Sequence, residues 1–509
     1  MFKRLLSVGG FTLLSRLTGF ARDILMAWSL GKGILSDAFI VAFLFPNYFR
    51  AIFGEGTINP AFLPRYAALH ARGEHKAAAA FADAIFSWQM AAQFVILIAA
   101  FVLMPQLIHL IAPGFSGNEG QWALTVELAR ITFPYLILTV VAVQLSAMLN
   151  AIDRFWAAAA WSIIPNLTMC ATLLAWHWFP NAAYAAAWGV LAGGIVQLFF
   201  MLWAGKRDGL DLRIAWPRWT PEIKEFFKAF GAVTFGAASV VVAPLIDTVI
   251  ASYLPTGSRT ALYYADRVDQ LPLGVLGIAL GTVLLPQMSA RLATGDRAGS
   301  DRAQNNAAAL SLLLTLPFAA VFLTIPATIM RAIFAHGAFD KNAASLSAIA
   351  LAAYGIGLPA FALVRIVAST FYARHDTMTP ARATVTAIVA NIALKIVFVW
   401  GLGFGIAGVA LGTAFGAWIN VGQLVWQGRR KDLLAIQPGF IRALLPIVLA
   451  TAGAGLGALA GTLLLDRIPL PIPANLHDLA RLAMGGMLGI VLYGGAILVF
   501  RRALPLGRG

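Results

Sequence analysis

The chain has 509 residues, 60% of them hydrophobic and only 12% charged, with 37 Lys and Arg against 22 Asp and Glu. This composition excludes a soluble globular domain and describes an all-α polytopic membrane protein. The formal net charge of +15 recurs in short loops on alternate sides of the spans, which is the positive-inside pattern, so no nucleic acid is expected as partner.

Taken in order, the chain offers about fourteen stretches near the roughly 20 apolar residues that a crossing needs. They are 6–28, 34–54, 80–104, 126–148, 157–178, 183–204, 228–254, 262–285, 307–330, 347–371, 383–402, 405–426, 443–465 and 480–500. The first is read as a retained span and not a signal peptide, because Arg16 interrupts its apolar core and no small-residue cleavage site follows. Placing both termini in the cytoplasm puts most basic loop residues inside, among them Arg65, Arg72, Lys206, Arg207, Arg213, Arg218, Arg291, Arg429, Arg430, Arg501, Arg502 and Arg508. The opposite face receives scattered charges such as Lys32, Arg259, Lys341 and Arg467. The single cysteine, Cys170, lies in an apolar span, so no intramolecular disulfide can form.

The first hairpin, residues 3–55, carries Arg16, Arg22, Asp23, Asp37 and Arg50 inside its two spans. A charge at the centre of a span costs roughly 2.5–3.5 kcal/mol, so three arginines ask for roughly 7–10 kcal/mol. Such charges are tolerated where they face a wet cavity visited by something anionic. Asp23 follows Arg16 by two helical turns on nearly the same stripe. Arg22 points about 120° away from Arg16 and has no evident partner on its own helix. Arginine suits a planar, bidentate grip on phosphate oxygens. Further along, Glu127 and Arg130 stand one turn apart and are read as satisfying each other. Asp247 sits late in the seventh span, and YYADRVDQLP opens the eighth with Asp266, Arg267 and Asp269. Arg365 and Lys395 lie within the tenth and eleventh spans. Gly9, Gly10, Gly19, Pro46 and Pro244 are read as interruptions where helices line a cavity or hinge.

The chain repeats itself at an offset of about 222 residues. LPRYAALHARGE at 63–74 answers LPQMSARLATGD at 285–296, both read as connecting loops. Ile164-Pro165-Asn166 answers Val389-Ala390-Asn391, and Gly189 and Gly193 answer Gly412 and Gly416. Each copy holds six spans, an even number, which implies two similarly oriented six-helix lobes with a cavity between them. The expected domains are 1–215 and 216–432 for the lobes and 433–509 for two additional helices. The paired glycines are read as close helix contacts. No Walker-type loop, H-E-x-x-H, Cys/His cluster or nucleophile elbow is present. No cofactor, metal or covalent chemistry is expected, and transport has to draw on an ion gradient, the membrane potential or substrate flux.

The strings SRLTGFARD at 15–23, SDAF at 36–39, FRAIFGEGTINPAFLPRY at 49–66 and YYADRVDQLPLGVLGIALGTVLLP at 263–286 resemble the MurJ (MviN) family of lipid II flippases. That family belongs to the MOP exporter superfamily, and the resemblance runs over essentially the whole chain. It implies a multi-pass protein of the bacterial inner membrane that moves lipid II, an undecaprenyl-pyrophosphate-linked disaccharide peptide, to the periplasmic leaflet by alternating access. It matches Arg16, Arg22, Arg50 and Arg267 to the arginines that the family requires in its cavity. Asp23 and Asp37 match family acids, and Asp266 and Asp269 are taken as supporting acids. It implies that the last two helices form an apolar groove for the polyprenyl tail. Some members use sodium in the C-terminal lobe. Asp247 and Asn391 would supply ligands here, but Lys395, one turn after Asn391, would compete with a cation, which favours the membrane potential. Besides lipid II and membrane lipids no partner is expected, and a monomer suffices because the repeat already supplies two lobes. The alternatives are an exporter of another polyprenyl-linked oligosaccharide, a MATE-like antiporter, an integral-membrane glycosyltransferase and a structural scaffold. The arginines and the extra helix pair argue against the antiporter. A glycosyltransferase would need an essential acid in a sizeable outward loop, where 105–125 offers only Glu119. A scaffold leaves buried arginines unexplained.

Overall fold

The computed structural model describes residues 2–55, 58–216, 219–281, 284–468, 473–501 and 504. Arg218, Arg502 and Arg508, counted above on the cytoplasmic face, lie outside the described residues, as do 56–57 and 282–283 within the strings quoted for the family. The described residues are mostly helical, with no strand among them. The helices are α1 Phe2–Leu30, α2 Ile34–Phe49, α3 Ile58–Ala71, α4 His75–Ile111, α5 Glu119–Thr132, α6 Tyr135–Ala151, α7 Phe155–Ala160, α8 Ile164–Leu174 and α9 Ala182–Arg207. They continue as α10 Pro221–Ser252, α11 Ser258–Gly281, α12 Leu284–Ala293, α13 Arg297–Thr324, α14 Pro326–Phe334 and α15 Lys341–Tyr372. The last are α16 Met378–Ile396, α17 Gly405–Arg430, α18 Pro438–Arg467 and α19 Ala474–Phe500.

Eleven helices among the described residues are long and apolar enough to cross a membrane. Each of the fourteen expected spans falls on helix. The three outside the eleven are α1, α10 and α11, of 29, 32 and 24 residues. At about 1.5 Å per residue they are long enough for a core of about 30 Å. α1 holds Arg16 and Arg22, α11 holds Arg267 with Asp266 and Asp269, and α10 contributes a shorter apolar stretch, Val241–Ser252. Fourteen crossings are therefore not established by length and composition.

Of the expected interruptions, Gly9, Gly10 and Gly19 leave α1 unbroken, and Pro244 lies inside a continuous α10. Pro46 differs: it precedes a π-helical stretch, Arg50–Glu55, that widens the end of α2. Its ring removes the amide that would bond the Ala42 carbonyl, and the Thr132 hydroxyl donates to that carbonyl at 3.2 Å instead.

The chain packs as two units, Met1–Thr260 with Gly337–Phe339, and Ala261–His336 with Asp340–Gly509. In the first unit, Gly189 and Gly193 bring α9 onto α8: a Cβ on Gly193 would stand 3.0 Å from the Pro165 backbone, and one on Gly189 would meet Thr172. Segment 337–339 closes this unit at the α1–α2 turn, where the Ala338 amide donates to the Trp28 carbonyl at 2.8 Å. Gly31 and Gly337, at φ 64° and 62°, make that approach, and a side chain on either would strike backbone.

In the second unit, α16 packs on α17 through Gly412 and Gly416, which face Lys395 and Asn391. The additional pair crosses on glycine as well: Gly457 and Gly461 of α18 lie against the backbone at Gly489 and Gly485 of α19. Lipid is as apolar as leucine, so close backbone approach, not expulsion of water, holds such helices together. α18 also packs on α13 through Leu312, Leu313, Ala443 and Ile447, with Leu504 and the Tyr493 hydroxyl, which donates to the Leu313 carbonyl.

The repeat reappears in the backbone of each unit. The segments 63–74 and 285–296, expected as loops, are the ends of the short helices α3 and α12 with the turns that follow. Both helices are anchored by a buried pair one turn apart, Phe62 and Tyr66 in α3 and Leu284 and Met288 in α12. Both end on a glycine, Gly73 at φ 76° and Gly295 at φ 77°. In both, the next amide reaches back to close the helix, Glu74 to Leu69 at 3.1 Å and Asp296 to Arg291 at 2.9 Å. Two further left-handed turns recur at the offset of about 222 residues, Asp153 with His375 and Gly209 with Asp432.

Candidate functional site

In the first unit the structure brings Arg22, Asp23 and Asn166 together. The Arg22 Nε and Nη2 donate to Asp23 Oδ1 at 3.1 and 2.7 Å, and its Nη1 donates to Asn166 Oδ1 at 3.0 Å. The expectation that Arg22 lacks a partner on its own helix is therefore corrected. Successive residues diverge around a helix, but the long arginine side chain curls back to its neighbour's carboxylate. Asp23 is only 3% exposed, so the ion pair is shielded from water, where charge-assisted bonds are strongest. Asp23 thus serves Arg22 and not Arg16, which is exposed and makes no ion pair or side-chain hydrogen bond among the described residues.

Asn166 is the residue whose role sequence reasoning missed. It had appeared only as a marker of the repeat. Its Nδ2 donates to the carbonyls of Ser15 at 3.2 Å and Ser162 at 3.3 Å and to Thr18 Oγ1 at 3.4 Å, leaving its oxygen turned to Arg22. Gly19 lies beside it, and a Cβ there would make only ordinary contact, 3.5 Å from the Asn166 Nδ2. The signal was present: an amide inside an apolar span is expensive unless something uses it.

Arg50 stands at the start of the π-helical stretch after Pro46, half-buried, and its Nη2 donates to Asn47 Oδ1 at 2.9 Å. Asp37 is buried and makes no ion pair with the arginines of its hairpin among the described residues. Its carboxylate accepts from the Gly257 amide at 2.6 Å, the Thr260 amide at 2.8 Å and the Thr260 hydroxyl at 2.5 Å. It therefore caps the first turn of α11, satisfying amide donors and opposing the positive end of the helix dipole. Glu127 accepts from the Tyr184 hydroxyl, and no Glu127–Arg130 ion pair occurs among the described residues, against the expected local pairing.

In the second unit, the Arg267 guanidinium lies over the Tyr263 ring, 4.7 Å from its centre, which fixes its plane by cation–π attraction. Asp266 accepts from Gln270 at 2.6 Å. Asp269 is 3% exposed, and its Oδ1 has no hydrogen-bond partner among the described residues. On α16, Asn391 is buried and Lys395 is wholly buried, 0% exposed, both beneath the glycines of α17. Asp247, expected with them, is half-buried and belongs to the first unit.

Compared with known proteins, residues 26–466 match the family model described as "Lipid II flippase MurJ". The chain is 36% identical over 456 residues to the "Probable lipid II flippase MurJ" of Rhizobium tropici, covering 86% of this chain and 85% of that one. It is 32% identical over 459 residues to the "Lipid II flippase MurJ" of Burkholderia cenocepacia, covering 88% and 87%. In fold it is similar to a solved "Lipid II flippase MurJ, inward closed conformation", with a TM-score of 0.78 over 97% of this chain and 99% of that one at 23% identity. An inward-facing multidrug-resistance MATE transporter of the MOP superfamily follows at TM-score 0.70, covering 82% and 95% at 15% identity. With a family model spanning most of its length and relatives above 30% identity over nearly all of theirs, the chain belongs to the MurJ lipid II flippase family.

Proposed function

We propose that this protein flips lipid II, the polyprenyl-pyrophosphate-linked peptidoglycan precursor, from the cytoplasmic to the periplasmic leaflet of the bacterial inner membrane. Membership of the MurJ family over residues 26–466 is the observation that carries this reading. The chain crosses the membrane fourteen times with both termini cytoplasmic and works as a monomer. Two six-helix lobes, 1–215 and 216–432, alternate access to an arginine-lined cavity, and 433–509 forms a groove for the lipid tail.

The pyrophosphate is the group the arginines recognise. Arg22, held by Asp23 and Asn166, keeps a fixed guanidinium plane for phosphate oxygens. Arg16 is exposed and adaptable, Arg50 is steadied by Asn47, and Arg267 is oriented by Tyr263. Asp23, and in the second unit Asp266 and Asp269, moderate the positive field so that the product can leave. The tail stays in lipid, because moving it through water would expose every methylene. Lys395 supplies a resident positive charge at the level where Asn391 would otherwise serve a cation, so the membrane potential rather than sodium drives the cycle.

The test is complementation of a bacterium whose own lipid II flippase is shut off. The intact gene is compared with Arg16→Ala, Arg22→Ala, Arg50→Ala and Arg267→Ala at matched protein levels, reading growth and outward-facing lipid II. Rescue by the intact gene alone is expected. Rescue by all four variants would remove the arginines from the site, and no rescue by a well-inserted intact protein would point to another polyprenyl-linked cargo.

A further inference from the structure

The segment joining α9 to α10 carries a pattern that flipping does not use. Residues 211–216 lie outside regular secondary structure, between the helix end at Arg207 and the Thr220 cap of α10. Two amides bind this segment to α4: Arg213 donates to Asp83 Oδ1 and Ala215 to Ser87 Oγ, each at 2.9 Å. Asp83 and Ser87 are one helical turn apart, matching the spacing of alternate amides along an extended chain. The segment is thus fixed as a strap along α4.

An extended chain sends successive side chains to opposite faces. Asp211 and Arg213 share one face and pair with each other at 3.2 Å, both exposed. Leu212, Ile214 and Trp216 share the other. Ile214 is 80% exposed and Trp216 is 84% exposed, and Trp216 makes no ring contact among the described residues. Just beyond, Trp219 is held differently, stacked on Phe227 and edge-on to Trp88.

The depth of the strap follows from what it is tied to. Asp83 and Ser87 precede the exposed apolar band of α4, which begins at Phe94 and Val95. On α9 the equivalent band, Phe199, Leu202 and Trp203, ends where Arg207 lies over the Trp203 ring at 5.8 Å. Extended backbone with open amides cannot enter the hydrocarbon core, whereas tryptophan is favoured at its boundary. The surroundings are basic. Lys206, Arg207, Lys224 and Lys228 are exposed, while Glu222 and Glu225 face Arg65 at 3.7 and 3.4 Å and Asp211 faces Arg213.

We propose that residues 211–216 form a membrane-binding strap: Ile214 and Trp216 seat in the interface of the leaflet, and the flanking lysines and arginine hold anionic phospholipid headgroups. The side assigned to it, the cytoplasmic leaflet, rests on the topology proposed above.

The test uses the full chain with Cys170→Ser, carrying either Trp216→Cys or Arg213→Cys labelled with an environment-sensitive fluorophore. Each is placed in nanodiscs of bromine-labelled phosphatidylcholine, with or without phosphatidylglycerol. The label at 216 is expected to shift to the blue and be quenched by bromine, and the label at 213 to be quenched by aqueous iodide instead. Replacing Asp83 and Ser87 together by Ala should release the strap and abolish the difference between the two positions. Lys206→Gln and Arg207→Gln should lower phosphatidylglycerol enrichment around the protein by about fivefold for each charge removed. Equal iodide quenching at 213 and 216 in nanodiscs would overturn the proposal. Protection of 216 in native membranes alone would overturn it in favour of a protein partner. Labelling the 213 cysteine from one side of sealed vesicles reads the topology separately, so an error of sidedness is distinguishable from a failure of the strap.

Discussion

Two equivalent turns of the molecule hold the same ion pair with its charges exchanged. In the first unit, Arg154 follows the left-handed Asp153 and pairs with Asp208 at 3.1 Å. In the second, Asp376 follows the left-handed His375 and pairs with Lys431 at 2.9 Å. The residues differ in sign at both positions, yet the same two turns are tied together. What the repeat preserves is therefore a backbone arrangement and a pairing, and side chains are free to trade roles within it. The intramembrane pair α8–α9 and its counterpart α16–α17 follow the same rule. Each crosses on two glycines, which meet Pro165, Thr168, Met169 and Thr172 in α8 and Asn391 and Lys395 in α16; Asn166 is turned instead to Arg22 and α1, whereas Asn391 Oδ1 has no hydrogen-bond partner among the described residues and stands one turn from buried Lys395.

The shared frame is the hardest part to disturb. Gly193→Val and Gly416→Val put side-chain atoms where a Cβ alone would already lie 3.0 Å from Pro165 and 2.7 Å from Asn391 Cβ. Overpacking of this kind costs about 1–3 kcal/mol, occasionally more. Both variants should lose most of the monodisperse protein recovered in detergent, and comparable losses are expected because the crossings are equivalent. A severe loss at one and none at the other would break the equivalence of the two copies.

The asparagines should then separate the copies. Asn166→Ala removes the acceptor from a charged arginine, an effect of about 1.5–3 kcal/mol, and it also unties α8 from α1. It is expected to lower the thermal transition and to abolish complementation together. Asn391→Ala removes a group with an unused oxygen and should shift the transition little. If the two transitions fall equally, the contrast between a saturated and an open amide is wrong.

These contrasts also show what was readable before the fold was known. Helix positions followed from runs of apolar residues, and the repeat from Pro64 with Pro286, Gly73 with Gly295, and the paired glycines. Segments 63–74 and 285–296 were misread as loops because short, alanine-rich, partly charged helices lack the long apolar run that marks a span. The role of Asp37 was hidden because Gly257 and Thr260 lie more than two hundred residues away, and no local spacing records such a contact. Asp23 was assigned to the stripe of Arg16 by helix geometry alone, which neglects how far an arginine can reach. The exchanged ion pairs were invisible for a simpler reason: a search for like residues passes over Arg154 and Asp376.

Lys395→Met tests the difference of charge inside the matched frame. Replacing a buried charge by an apolar side chain of similar length is often neutral or stabilising. The thermal transition should hold or rise, while flipping in sealed vesicles should lose its response to an imposed potential. For the unaltered protein, exchanging sodium for potassium at constant potential should leave the rate unchanged. A rate that follows sodium would overturn the assignment of the driving force.

The smallest effect belongs to the exchanged ion pair itself. Asp376 is drawn down from 3.8 to about 2, chiefly by the Thr379 hydroxyl, with the Thr379 amide and Lys431 adding to it. A carboxyl held below its unfolded value contributes stability that is fully present above about pH 4 and fades as pH falls through about 2. The pair is partly solvated, with side chains 48% and 26% exposed, so the amplitude stays within the small range of surface salt bridges. Asp376→Ala and Lys431→Ala should each lower the thermal transition slightly at neutral pH, and Asp376→Ala should flatten its decline between pH 4 and pH 2. The double exchange Asp376→Lys with Lys431→Asp copies the polarity of Arg154 and Asp208, and it should recover the part of the loss that depends on opposite charge. It should not recover the part due to Thr379, whose hydroxyl and amide both serve the Asp376 carboxylate. Full recovery would mean that the turn needs only a pair of opposite sign. No recovery would mean that Asp376 acts through Thr379 alone, and that its likeness to Arg154 is one of position and not of role.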